Sequence, residues 1–151
     1  MKKNEAFTLI ELVICIGIIL LLLSIGGLNF KIGDRVHARE QVKELALDLK
    51  FLKNYSQINN IRTSMNLSDG GYSINFGEKV KTVKFNSLVK LESTNLDKIT
   101  FSSKGKPSYL KEKSSAGTIN FSVVNKKYKI TIQPVTGKVN YIEIKLSLIH
   151  I

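Results

Sequence analysis

An apolar stretch near the start of the chain decides the fold, and residues 6–30 read AFTLIELVICIGIILLLLSIGGLNF. Glu11 is the one charged residue in this stretch, and from residue 12 to residue 30 only the thiol of Cys15 can ionise. As a helix rising about 1.5 Å per residue, residues 12–30 would span about 28 Å, close to the thickness of a bilayer's hydrocarbon core. The sequence therefore predicts a membrane-spanning helix. Because a carboxylate at the head of such a segment is costly, Glu11 is expected to have a partner.

Residues 6–12 resemble the signature of type IV prepilins. The resemblance implies that a membrane aspartyl peptidase cuts the bond between Ala6 and Phe7, removes the leader and methylates the new amine of Phe7. It also implies that Glu11 meets the Phe7 amine of a neighbouring subunit in a filament. This role fits the rule that a buried charge persists only when an opposite charge neutralises it. The family usually has glycine before the cut, whereas this chain has Ala6, so we expect slower processing.

Two other interpretations of the N-terminus stay open. One is an ordinary secretory signal, with Lys2 and Lys3, an apolar core and a small-x-small cleavage site at residues 24–26. Glu11 argues against it, because this charge interrupts the core near its start. The other is a plain single-span anchor. Basic residues flank the span on both sides, so the charge distribution does not decide its orientation. That the head lies outside the cytoplasm is what the prepilin resemblance implies.

The segment after the apolar stretch is predicted to be an amphipathic helix. Apolar residues recur at helical spacing along one face, namely Ala38, Val42, Leu45, Leu49, Leu52 and Tyr55. We predict one long helix over residues 8–57, amphipathic after residue 34. A bend is expected near Gly26, Gly27 and Gly33, since each glycine weakens a helix by roughly 1 kcal/mol relative to alanine. Residues 59–60 and 66–71, rich in Asn and Gly, are expected to end the helix and turn the chain.

Beyond the helix the apolar period changes to two, which indicates β-strands. Alternating runs rich in Val, Ile, Thr, Phe and Tyr occupy residues 72–76, 80–85, 98–101, 118–124, 128–132 and 139–148. Strict alternation is typical of an antiparallel sheet with one wet face, and the helical stripe is the expected cover for the other face. The predicted fold class is α+β, a long N-terminal helix packed on a small antiparallel β-sheet head.

The predicted organisation has four parts. They are a leader peptide over residues 1–6, a transmembrane and assembly segment over residues 7–30, an amphipathic helix over residues 31–60 and the β-sheet head over residues 61–151.

Residues suited to catalysis or metal binding are sparse. His37 and His150 lie far apart, and neither stands beside a cysteine or a pair of carboxylates. The sequence has no nucleophile–base pattern and no phosphate-binding glycine loop. Cys15 is the single cysteine, so a disulfide framework is excluded. We therefore expect no catalytic residues, no metal and no cofactor, and a chain that is a substrate of two enzymatic steps rather than an enzyme.

A second resemblance concerns residues 99–105, 128–132 and 136–139, which are similar to the minor pseudopilin H and FimT-type group of minor pilins. It implies a minor subunit of a type IV pilus-like filament, in competence and DNA uptake, in a type IV pilus or in a type II secretion-like machine. The expected partners are the prepilin peptidase/methyltransferase, other pilin or pseudopilin subunits and the membrane. The subunit would be a single-pass protein of the cytoplasmic membrane before assembly and part of a cell-surface pilus or a pseudopilus afterwards. The alternative is a membrane-tethered or secreted β-rich binding module whose N-terminus imitates that of a prepilin.

Positive charge is concentrated in the head. The formal net charge is +11, and residues 70–151 carry fourteen basic and five acidic side chains. The residues proposed for contact with double-stranded DNA are Lys104, Lys106, Lys126, Lys127, Lys129 and Lys138.

Lys138 follows Gly137 where FimT-type subunits have a Gly-Arg element, whereas Asn140 stands where a second basic residue is expected. Lysine neutralises phosphate as a point charge, so such contact would be independent of base sequence and weakened by salt. The competing interpretation is that these lysines are solvated, or face an anionic lipid or wall polymer.

Overall fold

The computed structural model describes residues 8–26, 30–110 and 113–144, and the chain divides into two compact units, Met1–Asp34 and Arg35–Ile151. Helix α1 comprises Leu9–Gly26 and helix α2 comprises Phe30–Asn59. The sequence predicts one helix over residues 8–57, whereas two are described. Residues 27–29 between them, where Gly27 was expected to contribute to a bend, lie outside the described residues.

Helix α1 exposes its apolar side chains. The large aliphatic residues from Leu9 to Leu23 are 49–82% exposed. Among the helices in the described part of the chain, none combines the length and the apolar character that a membrane crossing requires. The transmembrane segment expected over residues 7–30 stays a prediction.

The rest of the described chain forms antiparallel sheets. The strands are β1 (Thr63–Ser68), β2 (Gly71–Phe76), β3 (Lys79–Lys84), β4 (Val89–Thr94), β5 (Lys98–Phe101), β6 (Tyr109–Leu110), β7 (Lys113–Ser114), β8 (Gly117–Val123), β9 (Lys126–Ile132) and β10 (Val139–Ile144). Sheet A has the order β3-β2-β1-β5, sheet B has the order β10-β9-β8-β4, and β6 pairs with β7. The α+β class is therefore as predicted. The prediction of one small sheet is wrong, because the head has two four-stranded sheets and a short hairpin.

Every predicted strand coincides with an observed one, but the alternation rule missed others. Strand β1 was predicted to be part of a turn over residues 66–71, whereas only residues 69–70 form the turn. Its Thr63 and Met65 point into the core, and its remaining side chains are mostly short and polar. The alternation of apolar and polar residues is therefore weak in this part of the sequence. The predicted end of β10 at residues 145–148 lies outside the described residues.

The core of the head lies between α2 and the inner faces of the two sheets. The stripe residues Ala38, Val42, Leu45, Leu49 and Leu52 are fully buried, as predicted. They share one cluster with residues of sheet A and sheet B, including Met65, Ile74, Phe101, Ile119, Phe121 and Ile130. Packing a helix on sheets buries the apolar face of each, and this burial is the main favourable term in folding.

Polar contacts fix α2 against sheet A. Lys81 on β3 bonds Glu44 Oε1 and Asp48 Oδ2, each at 2.8 Å, and the Tyr72 hydroxyl donates to Asp48 Oδ2 at 2.7 Å. Burial, together with the bond to Asp48, raises the pKa of Tyr72 well above its ordinary value. One turn earlier, Gln41 accepts from the Asn86 N–H at 2.7 Å and donates to the Lys84 carbonyl at 3.0 Å.

Candidate processing and assembly site and the basic surface

The first candidate site is the start of α1. Ala6 and Phe7, the expected cleavage and methylation residues, lie outside the described residues. Thr8, the first described residue, lies three positions before Glu11, and their side chains are in contact.

Thr8 and Glu11 form a reciprocal cap. The Thr8 N–H and the Thr8 hydroxyl both donate to Glu11 Oε2, at 2.9 and 2.8 Å, and the Glu11 N–H donates to Thr8 Oγ1 at 3.4 Å. This is the capping box, in which a Thr and a Glu three residues later satisfy backbone donors that the first helical turn leaves open. The sequence signal is the Thr-x-x-Glu spacing of residues 8–11, which was not part of the predicted site.

The cap gives Glu11 a contact within its own chain. The partner expected for this carboxylate, the Phe7 amine of a neighbouring subunit, stays a prediction, and within the same chain Thr8 bonds it. Both bonds from Thr8 end at Oε2. A carboxylate has two acceptor oxygens with about four lone-pair sites, so capping does not exhaust its capacity for a cationic partner.

The second candidate site is the basic surface. The structure places its six lysines in different regions of the head. Lys126 Nζ bonds Glu143, and Lys127 Nζ lies 3.4 Å from Glu92 Oε2. Lys138 precedes Val139, which pairs with Ile132, the last residue of β9. Lys126 is the first residue of that strand. Because β9 has seven residues at about 3.4 Å each, the two ends are about 20 Å apart. The six lysines therefore do not form one patch.

Two glycine turns lie against each other and carry Lys104, Lys106 and Lys138, whereas Lys129 lies in the middle of β9, opposite Ile142. A Cβ atom on Gly137 would meet the carbonyl of Gly105, and both residues have positive φ, 64° and 69°. The turns that carry Lys138 and the pair Lys104 and Lys106 are consequently in contact. Gln57 near the end of α2 donates to the Lys104 carbonyl at 3.1 Å, which joins the helix to the same region.

A groove of about 600 Å³ opens beside these turns, between α2 and β10. Its lining includes Lys50 and Lys53 from α2 and Lys138 from the turn before β10. Among the described residues, no acidic side chain lines it. Lys50 and Lys53 were missed in the sequence, because nothing in their spacing indicates that they face residues more than eighty positions later.

No group of three metal-binding side chains is found among the described residues. Cys15 and His37 are exposed on different helices. His150 lies outside the described ranges.

The comparison with protein families matches the start of the chain. Residues 1–27 match the model described as the prokaryotic N-terminal methylation motif. The match contains Ala6, Phe7 and Glu11 and supports a type IV pilin-like precursor that is processed by a prepilin peptidase and assembles with pilin subunits. It ends before the head begins. The comparisons with curated proteins and with solved structures give no match.

Proposed function

We propose that the chain is a minor pilin or pseudopilin subunit of a type IV pilus-like filament. It is made as a membrane-anchored precursor, cut between Ala6 and Phe7, and methylated on the Phe7 amine. The observation that carries the proposal is the methylation motif at residues 1–27, which includes Glu11 and runs into an exposed apolar helix. The chain performs no catalysis of its own and is the substrate of the peptidase and of the methyltransferase.

Helix α1 supplies the assembly surface in this proposal. A helix that is hydrophobic on all sides is usually covered by lipid or by other helices. In the precursor the cover is the cytoplasmic membrane, with the head outside the cytoplasm. In the filament the cover is the α1 helices of neighbouring subunits, and Glu11 binds the methylated amine of Phe7 from one of them. Such head-to-tail contacts do not close on themselves and therefore generate a filament.

Mass spectrometry of the chain purified from its own cells tests the processing step. We expect a mature chain that begins at methylated Phe7. A chain that begins near Gly27 would instead indicate a secretory signal, and one that retains residues 1–6 would indicate a plain anchor. Either result would overturn the proposal in favour of a tethered or secreted binding module.

The assembly step is tested separately with Glu11→Ala. We expect this variant to remain in the membrane fraction and to be absent from sheared filaments, because the Phe7 amine loses its counter-charge. Glu40→Ala is the matched control, since Glu40 is an exposed acidic residue on α2 that lies 4.0 Å from Lys43. Normal incorporation of the Glu11 variant would show that Glu11 acts only as the cap of α1.

We further propose, as the more specific function, that the subunit acts in DNA uptake rather than in twitching or secretion. The specific support is the contact between the two glycine turns, which gathers Lys104, Lys106 and Lys138 at one end of the head.

Binding of duplex DNA by the full chain in detergent should weaken when Lys104 and Lys106 become Gln, and should fall steeply with salt. The pair Lys126→Gln and Lys127→Gln is the control, because these lysines already have carboxylate partners. An equal loss of DNA affinity in the two double variants would contradict the proposed DNA contact. Absence of DNA binding at low salt would contradict it as well.

A further inference from the structure

Strand β10 is an edge strand that differs from the other three sheet edges. In an antiparallel sheet, every second residue of an edge strand directs its N–H and C=O away from the sheet, where they can pair with another chain. Proteins usually block such pairing with lysines, bulges or a covering segment. The four edges of sheets A and B are β3, β5, β4 and β10.

Three of these edges carry a blocking feature. Strand β3 contains Lys79, Lys81 and Lys84 among its six residues. The pairing of β4 shifts register between Leu91 and Ser93, which is a bulge. Strand β5 is covered by the segment after it, because Phe101 bridges Pro107 and the Ser108 N–H donates to the Thr100 carbonyl at 2.8 Å.

Strand β10 has none of these features in the described residues. All six of its residues pair with β9 in regular register, and the strand itself contains no lysine. Ile142 on it is 55% exposed. The groove of about 600 Å³, within the range of natural ligand sites, lies beside the strand and is lined by its residues 139–142.

The side chains of the groove indicate what kind of chain would pair there. Lys50, Lys53 and Lys138 supply three positive charges, and Asn54 and Asn140 supply amide donors and acceptors. None of the three lysines has an ion pair with an acidic residue in the described part of the chain. Val139, Tyr141 and Ile142 add apolar surface.

We propose that this groove binds an extended acidic peptide of a partner protein, which adds to sheet B as a strand beside β10. Backbone pairing gives affinity, and charge complementarity with the three lysines selects acidic side chains. A phosphodiester chain would match the lysines but has no peptide groups for the strand edge, so the geometry favours a peptide. The proposal concerns the head alone and does not depend on cleavage between Ala6 and Phe7.

Fluorescence anisotropy with the full chain in detergent micelles tests the proposal. The probe is a labelled heptapeptide of alternating valine and glutamate, which is about as long as β10. We expect saturable binding, weakened about tenfold or more in the Lys50→Gln and Lys53→Gln double variant. Lys79→Gln with Lys84→Gln is the matched control, because it removes the same charge from the β3 edge, and it should leave the affinity nearly unchanged.

Two further probes separate strand addition from charge alone. The same peptide methylated on every backbone nitrogen has no N–H to donate to β10 and should not bind, and hydrogen exchange at the β10 amides should slow only with the unmethylated peptide. Equal binding of the methylated peptide would overturn the proposal, as would absence of peptide binding at low salt. Binding of duplex DNA that is weakened in the Lys50→Gln and Lys53→Gln double variant, without any peptide binding, would assign the groove to nucleic acid instead.

Discussion

At the residue scale, the start of α1 depends on the Thr8 side chain. Thr8→Val keeps the shape of the side chain but removes the hydroxyl that bonds both Glu11 Oε2 and the Glu11 N–H. Losing an N-cap of this kind costs about 1 kcal/mol, so the first turn of α1 should open more often. We expect faster hydrogen exchange at the Glu11 N–H in the full chain in detergent. Thr8→Ser retains the hydroxyl and should restore protection, and equal exchange in both variants would contradict the cap.

Tyr141 gives a pH-dependent prediction at the same scale. Burial raises the pKa of Tyr141 from 10.0 to about 12, and the neighbouring Tyr128, Glu143 and Glu40 add to the increase. The folded state therefore favours the neutral hydroxyl. This contribution to stability is complete below about pH 10 and is lost as the pH rises through about 12. We expect Tyr141→Phe to reduce the slope of the unfolding free energy against pH within this window, as measured by urea denaturation.

Tyr55→Phe is the control for that measurement, because it removes a tyrosine hydroxyl from the same head. Identical slopes in the wild-type chain and the Tyr141 variant would show that this hydroxyl is as free to ionise in the folded head as in the unfolded chain.

At the element scale, the buried stripe of α2 holds the two sheets together. Leu49 is fully buried, whereas Leu47, two positions earlier on the same helix, is 53% exposed. Leu49→Ala should lower the unfolding free energy by about 2–5 kcal/mol, because it removes buried apolar surface and leaves a cavity. Leu47→Ala should change it by only about 0.5 kcal/mol. Urea denaturation of both variants checks the difference, and comparable losses would mean that the stripe is not the centre of the core.

The elements also show what the sequence predicts and what it does not. The stripe of α2 and six strands are apparent from their apolar periods, because one face of each packs toward the core, although only partly so in β3. Strand β1 is hidden by its short polar side chains, and β4 is interrupted by a bulge. The capping box was present in the Thr-x-x-Glu spacing. The groove was not predictable, since it depends on how Lys53 and Lys138, distant in sequence, come together in the fold.

At the scale of the whole molecule, the head should fold without the N-terminal unit. Every fully buried apolar residue among those described lies between Ala38 and Val139. A fragment that begins at Arg35 should therefore unfold cooperatively, with a free energy close to that of the same head in the full chain. Urea denaturation measures both values, and a non-cooperative transition would contradict the prediction.

A shorter fragment that begins at Glu44 provides the comparison. It lacks Ala38 and Val42 from the core and the Gln41 contacts with Lys84 and Asn86. We expect a loss of about 3 kcal/mol or more relative to the Arg35 fragment. Equal stability would place the start of the folded head further along α2 than the buried stripe indicates.

The tight turn at residues 124–125 between β8 and β9 has a practical consequence. Both residues are exposed, and this turn lies at the opposite end of β9 from the two glycine turns and the groove. An epitope or a fluorophore attached at Asn125 would leave the groove and the two glycine turns uncovered. Microscopy of living cells carrying such a label could then count the subunits in each fibre and locate them along its length.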